Sequence, residues 1–477
     1  MTYRLAQGIT VEESSAGGTL VASRPLRVVR LNPALLKLVR RMQQDWLSPG
    51  SDAEARALET LARRGFVERK WPNPGHVDDL PKVSVVIPVK DRADDLRNCL
   101  TSLQELDYPR EKLEVVVVDD GSMDNTPAVA EELGAVLIRS GAVAGGPALA
   151  RNKGASVASG EILAFIDSDC TAAKQWLMEL LPVFADVEVA AVGGWVDGMY
   201  TESALDRYEA VMSSLNLGRR EMSGGKGGDT FYLPSCNLLM RKTAFAAAGG
   251  FRAELHVGED VDLTWRLRDA GWKIIYLPRG TVFHAHRSKL WPFMKRRFDY
   301  GTSEGLLQQL HPVRGKKMLV PPLLTAILVL IAAALVGRSF LPLPVAALLV
   351  LGDAALTTRQ MRRQGLSFPY FKILAARLRA VGSLGYYLGY HLLRYYLVPM
   401  LSVALIYPPF GLLVLTLLLG VGSVDFRVRQ AKLFPGLFYG YYFCEQLSYG
   451  LGAFRGCLRT GSFASYRLDV KAAAGHI

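Results

Sequence analysis

Leu113-Glu-Val-Val-Val-Val-Asp-Asp-Gly-Ser122 runs a β-branched stretch straight into two carboxylates and a glycine turn. A strand with one wet face alternates apolar and polar residues. A continuous apolar run is the mark of a strand covered on both faces. Outward from this stretch the pattern recurs at Val83-Ser-Val-Val-Ile-Pro88, Ala135-Val-Leu-Ile138 and Glu161-Ile-Leu-Ala-Phe-Ile166. Helical spacing fills the intervals at 93–106, 127–133 and 149–158. The alternation predicts an α/β fold on a parallel sheet with helices on both faces. Ligands in such sheets sit at the carboxyl ends of strands, where this sequence places its carboxylates.

The flanks differ in composition. A chain of 477 residues exceeds one core, so two or three domains are expected. Residues 1–72 read as a small winged-helix-like unit. Short strands at Thr19–Ala22 and Leu26–Val29 precede a helix with Asn32 as N-cap, then a helix over Asp52–Arg64 stopped by Gly65. That second helix mixes Asp52, Glu54 and Glu59 with Arg56, Arg63 and Arg64, which argues against a nucleic-acid partner. Trp71 to Asp79 is a linker by composition, and the α/β domain is expected over 80–312.

Half of all residues are hydrophobic, and the excess over an ordinary soluble chain collects after Lys317. Met318–Val336, Phe340–Leu356, Tyr386–Tyr407 and Phe410–Val424 are candidate membrane passages, and Phe371–Val381 reads as a basic amphipathic helix lying at the interface. Lysines and arginines crowd the segments outside the two apolar pairs and are nearly absent within them. The positive-inside rule then puts the catalytic region on the cytoplasmic face of a membrane-associated helical region, 316–477. The net charge of +12 suits nucleic acid, an anionic lipid surface or a phosphate-bearing substrate. Five cysteines without a CxxC pair indicate neither a disulfide framework nor a zinc site, and no signal peptide is read in the first 30 residues.

Three carboxylate motifs carry the chemistry. Asp119 and Asp120, at the end of Val115–Val118, are placed to accept hydrogen bonds from a nucleobase or ribose, although a turn also favours Asp and Gly for backbone reasons alone. Asp167-Ser168-Asp169 ends the Glu161–Ile166 strand with two carboxylates on one side, a donor set for a hard divalent cation bridging a diphosphate. Glu259-Asp260 follows Gly258 and opens a helix. An unpaired carboxylate there can serve as a general base, or merely satisfy the helix dipole. His284, in His284-Ala-His286, can complete a cation's ligands or be a structural histidine. Arg296 and Arg297 can bind phosphate or anchor the chain at a membrane. No G-x-S-x-G elbow and no Walker-A loop is present.

These motifs, with Ala150-Arg-Asn-Lys-Gly154 and Gly249-Gly-Phe251, resemble the family-2 glycosyltransferases over residues 83–300. The resemblance implies a nucleotide-sugar-binding type-A fold and an inverting displacement. It implies UDP-sugar binding around Pro88, Lys90, Asp91, Asp119, Asp120, Arg151, Asp167 and Ser168, with Mn²⁺ or Mg²⁺ at Asp169 and His284. Asp260 would be the base with Glu259 beside it, and Cys236 and Asn237 lie on the acceptor side. The Q-x-x-R-W of processive synthases is replaced by Lys295-Arg-Arg-Phe-Asp-Tyr-Gly301, which argues against extrusion of a long polymer. Leu31-Asn-Pro-Ala34 and Gly65-Phe-Val67 make the first unit similar to PqqD-type peptide-recognition domains. Together the three parts resemble the glycosyltransferases of the mycofactocin system. That implies transfer of β-1,4-linked glucose from UDP-glucose to a peptide-derived redox cofactor precursor. A polyprenyl-phosphate or cell-wall glycan acceptor is the alternative.

Overall fold

The computed structural model describes residues 1–471 except 15–16, 24–25, 73–78, 141–144, 227–228, 315–316, 364–365 and 367. Most of the expected linker, part of the glycine loop after Gly224 and part of the Gly141–Gly146 stretch therefore lie outside the described residues.

The first unit pairs β1 (Thr2–Leu5) with a later strand and forms an antiparallel meander from β2 (Ile9–Ser14), β3 (Gly17–Ser23) and β4 (Leu26–Leu31). Helices α1 (Pro33–Gln44) and α2 (Asp52–Arg63) follow, then β5 (Val67–Lys70), which pairs antiparallel with β1. The Asn32 side chain accepts from the Leu35 amide at 2.8 Å, closing the first turn of α1. Trp71, expected in the linker, is instead buried in the core of the α/β domain.

That domain comprises β6 (Val83–Val89), α3 (Ala93–Gln104), β7 (Leu113–Asp119), α4 (Thr126–Glu132), β8 (Val136–Arg139), α5 (Pro147–Val157), β9 (Ile162–Ile166), β10 (Cys170–Ala172) and α6 (Trp176–Leu180). It continues through β11 (Val189–Gly193), β12 (Val196–Gly198), α7 (Ala204–Met212), β13 (Met222–Gly224), β14 (Asn237–Arg241), α8 (Lys242–Ala247), α9 (Glu259–Asp269), β15 (Lys273–Tyr276) and β16 (Val282–His284). Helices α10 (Leu290–Thr302) and α11 (Glu304–Leu310) close it.

Eight strands form one sheet in the order β13-β15-β11-β14-β9-β6-β7-β8. The expected alternation over β6–β9 is parallel, but the sheet as a whole is mixed: β14 runs antiparallel between β9 and β11, and β13 is antiparallel to β15 at the edge. Both faces are covered, which is why the strands are apolar throughout. Val85 and Ile87 pack with Leu96 and Leu100 of α3, while Val86, Val116 and Val118 meet Ala150 and Ala155 of α5 and Leu263 of α9. A Cβ on Gly154 would lie 2.9 Å from Val118 Cγ2, so glycine lets α5 approach the strands that carry the site. A small second sheet, β10-β16-β12, sets Cys170 opposite His284.

After β17 (Lys317–Leu319) come α12 (Pro322–Val336), α13 (Pro342–Arg363), α14 (Tyr370–Ile406), α15 (Pro408–Val428) and α16 (Pro435–Thr460), and β18 (Asp469–Lys471) pairs parallel with β17. The expected passages are corrected in three ways. The first is cut to 15 residues, because Lys317–Leu319 is strand; its roughly 22 Å falls short of a hydrocarbon core. The basic segment 371–381 is not a separate interfacial helix but the start of the 37-residue α14. Helix α16 was not anticipated at all. Two helices, α13 and α15, are long and apolar enough to cross a membrane. The helical region is not detached. Gly301 and Gly305 of α10 and α11 meet Gly452 and Gly456 of α16 so closely that a Cβ on Gly305 would lie 2.7 Å from the Gly456 carbonyl oxygen. Val21 of β3 packs with Ala354, Met361 and Ile373, joining the first unit to α13 and α14.

Candidate active site

Strand ends, the start of α9 and helices α10 and α11 converge on a cavity of about 840 Å³. Pro88, Lys90, Asp120, Arg151, Asp167, Ser168, Asp169, Cys236, Glu259, Asp260, His284, Arg296 and Arg297 all line it. Asp91, Asp119 and Asn237 do not line it.

Asp120 stands where β7 ends, its amide donating to the Val89 carbonyl at 2.8 Å. Its carboxylate accepts from Ser140 Oγ and from the amides of Gly145 at 2.9 Å and Gly146 at 2.8 Å, tying the strand end to the start of α5. Asp119 is spent on the turn, accepting from the Ser122 amide at 3.0 Å, with Gly121 at φ +83°. Asp91 takes a left-handed backbone, φ 50°, and accepts from the Met123 amide at 2.7 Å.

Arg151 is the hub. It is buried on α5 and donates through Nη2 to Asp167 Oδ1 at 2.6 Å and through Nη1 to Glu259 Oε1 at 2.7 Å. Burial opposes a charge on Asp167, but the adjacent Arg151 guanidinium wins and holds its carboxyl below the usual range. Glu259 is thereby held in an ion pair with Arg151, whereas the base sought from the sequence was an unpaired carboxylate.

Asp260 differs. Gly258, at φ +83°, turns the chain into α9, and among the described residues Asp260 accepts only from backbone amides: Ser235 at 3.0 Å and its neighbour Val261 at 2.8 Å. Burial and the adjoining Glu259 charge push its carboxyl up to about 7. A carboxylate so poised can take a proton from a hydroxyl at neutral pH.

Asp169 meets Arg92 Nη1 at 3.2 Å, His284 Nε2 at 3.6 Å and Arg287 Nη1 at 3.6 Å. Donor atoms of Asp169, Cys170 and His284 lie within 4.8 Å of one another. Burial drives the Cys170 thiol well up, so it stays protonated and is a poor ligand, whereas the Asp169 carboxylate suits a hard cation and the His284 imidazole a borderline one. His284 Nδ1 is buried without a hydrogen-bond partner among the described residues. The His284–Asp169 proximity depends on the β10–β16 register.

Two further expectations are corrected. Asn237 is 1% exposed and its amide is fully used, donating to the Trp195 and Gly280 carbonyls and accepting from Trp176 Nε1, so it braces the sheet rather than meeting an acceptor. Arg297 is buried and paired with Glu209, with Glu445 3.7 Å from its Nε, so it is neither a membrane anchor nor an unopposed phosphate ligand. Arg296 stays exposed, its guanidinium 4.8 Å from the Tyr300 ring centre.

Sequence reasoning missed Arg92, Tyr232, Ser235, Tyr300 and Glu304, and three residues of the helical region, Arg394, Glu445 and Tyr449. Arg92, next to Asp91 in the first strand-end loop, had a positional signal. The last three had none, because nothing in an apolar segment shows that it borders a site.

Residues 84–248 match the family model Glycosyl transferase family 2. The pre-mycofactocin glycosyltransferase of Mycobacterium tuberculosis is 30% identical over 472 residues, covering 95% of both chains. Glycosyltransferase AglE of Haloferax volcanii is 31% identical over 47% of this chain and 73% of its own. Among solved structures, the mannosyltransferase PcManGT of Pyrobaculum calidifontis, in complex with GDP-Man and Mn2+, aligns at 24% identity and a TM-score of 0.40, over 65% of this chain and 90% of its own. With relatedness over 95% of its length and the transferase core in its middle, the chain is a glycosyltransferase of family 2 and belongs with the pre-mycofactocin glycosyltransferases.

Proposed function

We propose that this enzyme transfers glucose from UDP-glucose, with inversion and as β-1,4-linked units, onto the peptide-derived mycofactocin precursor. The observation that carries the reading is Asp260, a carboxylate of the cavity wall with no cationic hydrogen-bond partner among the described residues and a raised pKa. The acceptor hydroxyl oxygen attacks the anomeric carbon, the bond to the diphosphate breaks, UDP leaves, and Asp260 takes the hydroxyl proton. Asp120, Lys90 and Pro88 fit the nucleoside side, and Arg151 keeps Asp167 ionised beside it. Asp169 and His284 would hold Mn²⁺ or Mg²⁺, which neutralises the leaving diphosphate when bound. Residues 1–72 would engage the precursor peptide.

Attachment to the membrane is supported by apolar exposure at one end of the helices, and the cytoplasmic side for the catalytic domain by the basic residues that flank the apolar pairs. Phe340 and Leu341 before α13, and Leu405 and Ile406 at the end of α14, are each at least 84% exposed. The two turns adjoin, Tyr407 donating to the Val336 carbonyl at 3.5 Å.

The test is UDP release from UDP-glucose with the precursor, with and without Mn²⁺, by wild type and Asp260→Asn. Equal turnover by both proteins refutes the base. Label passing into a lipid fraction instead of the cofactor pool would favour a polyprenyl-phosphate acceptor.

A further inference from the structure

The helical region forms part of the cavity itself. Arg394 of α14 and Glu445 and Tyr449 of α16 line it together with Arg297, Tyr300 and Glu304. The Arg394 guanidinium carbon lies 3.6 Å from the Tyr449 ring centre, and its Nη1 donates to Gln446 Oε1 at 3.1 Å and Glu445 Oε1 at 3.4 Å. Its Nε and Nη2 donate to nothing among the described residues, while its side chain keeps 11% exposure. Glu445 also accepts from Tyr208 at 2.8 Å, and Tyr449 donates to Glu304 at 2.5 Å.

Stability does not demand this cluster. Buried ion pairs are often matched by apolar residues of the same volume, and the seam is already closed by the glycine contacts of α10 and α11 with α16. Its charge balance also restricts the ligand. Arg297 and Arg394 are already opposed by Glu209 and Glu445. That internal pairing disfavours an anion. It suits a neutral group that both donates and accepts and has an apolar face for an aromatic ring, which describes a sugar.

We propose that Arg394, Glu445 and Tyr449 form an acceptor subsite for a glycosyl unit, so that the helical region selects the acceptor as well as anchoring the enzyme. The inference deepens the transferase reading above and rests on it.

The test uses the full chain in detergent, UDP-glucose as donor and p-nitrophenyl β-glucoside as acceptor. Arg394→Lys keeps the charge and loses the fork, and Tyr449→Phe removes only a hydroxyl. The expected result is an acceptor KM raised about tenfold by the first and about threefold by the second, with donor KM moved by less than about twofold. Thermal stabilisation by UDP verifies that each variant is folded. Unchanged acceptor KM in folded variants overturns the subsite. So does wild-type protein that binds UDP-glucose yet takes no glucoside, which leaves the donor reading standing. Wild-type protein that binds no UDP-glucose overturns both.

Discussion

Replacing Asp260 by Asn tests the chemistry most directly, because its surroundings supply both a magnitude and a pH dependence. The substitution keeps the shape and removes the only carboxylate of the Glu259–Asp260 pair that Arg151 does not bind. A positioned general base contributes about 10²–10⁴ in rate, equivalent to about 3–5 kcal/mol in the barrier. The sign with pH follows from burial and the Glu259 charge, which push the Asp260 carboxyl up to about 7. Below that value it is protonated and cannot accept the hydroxyl proton, so kcat falls about tenfold per pH unit on the acid side and levels off above. Glu259→Gln removes a neighbouring negative charge, so the acid limb should move to lower pH, by about one unit if the pair interacts by about 1.4 kcal/mol. The assay is initial-rate UDP release between pH 5 and 9 at saturating donor, with UDP binding verifying the fold. An acid limb that survives in Asp260→Asn with the same midpoint, or a plateau rate within about threefold of wild type, refutes Asp260 as the base.

Other outcomes follow from other parts of the site. His284→Ala should raise the Mn²⁺ concentration for half-maximal rate by about tenfold or more, whereas Cys170→Ser should change it by less than about twofold because that thiol is protonated. Arg297→Met strands Glu209 and Glu445 in a buried site and should lower stability by about 3–5 kcal/mol. The loss should deepen as pH rises through about 7, where Glu209 ionises, and Glu209→Gln added to it should recover part of it in thermal unfolding curves. Gly456→Ala drives a Cβ into the Thr302 carbonyl and should cost about 1–3 kcal/mol; an unchanged melting temperature would mean that α10 and α16 do not pack as described.

The strands of the nucleotide half were legible because a doubly covered strand has no polar position, so Val115–Val118 and Ile162–Ile166 announce themselves by composition. The direction of β14 was not, since Asn237–Arg241 reads as an apolar run whichever way it enters the sheet, and only its place between β9 and β11 makes it antiparallel. The membrane reading overcounted for a related reason. Hydropathy registers apolar residues but not helix ends, so Met318 to Pro321 were added to a helix that begins at Pro322, while Tyr, Gly, Glu445 and Gln446 concealed α16. The site shows the same division. Each carboxylate motif could be found from its position at a strand end or helix start. What distinguishes Glu259 from Asp260, adjacent acids on one turn, is a guanidinium from Ala150-Arg-Asn-Lys-Gly154 that reaches across the sheet end to one of them. On the proposed mechanism Arg151 thus makes the choice of base, and the same side chain also keeps Asp167 ionised. Proton acceptance and donor binding are then coupled through one residue, and Arg151→Lys, which cannot span both carboxylates with a fixed fork, should impair donor KM and the acid limb of kcat together. A change in only one of them would show that the two halves of the site are set independently.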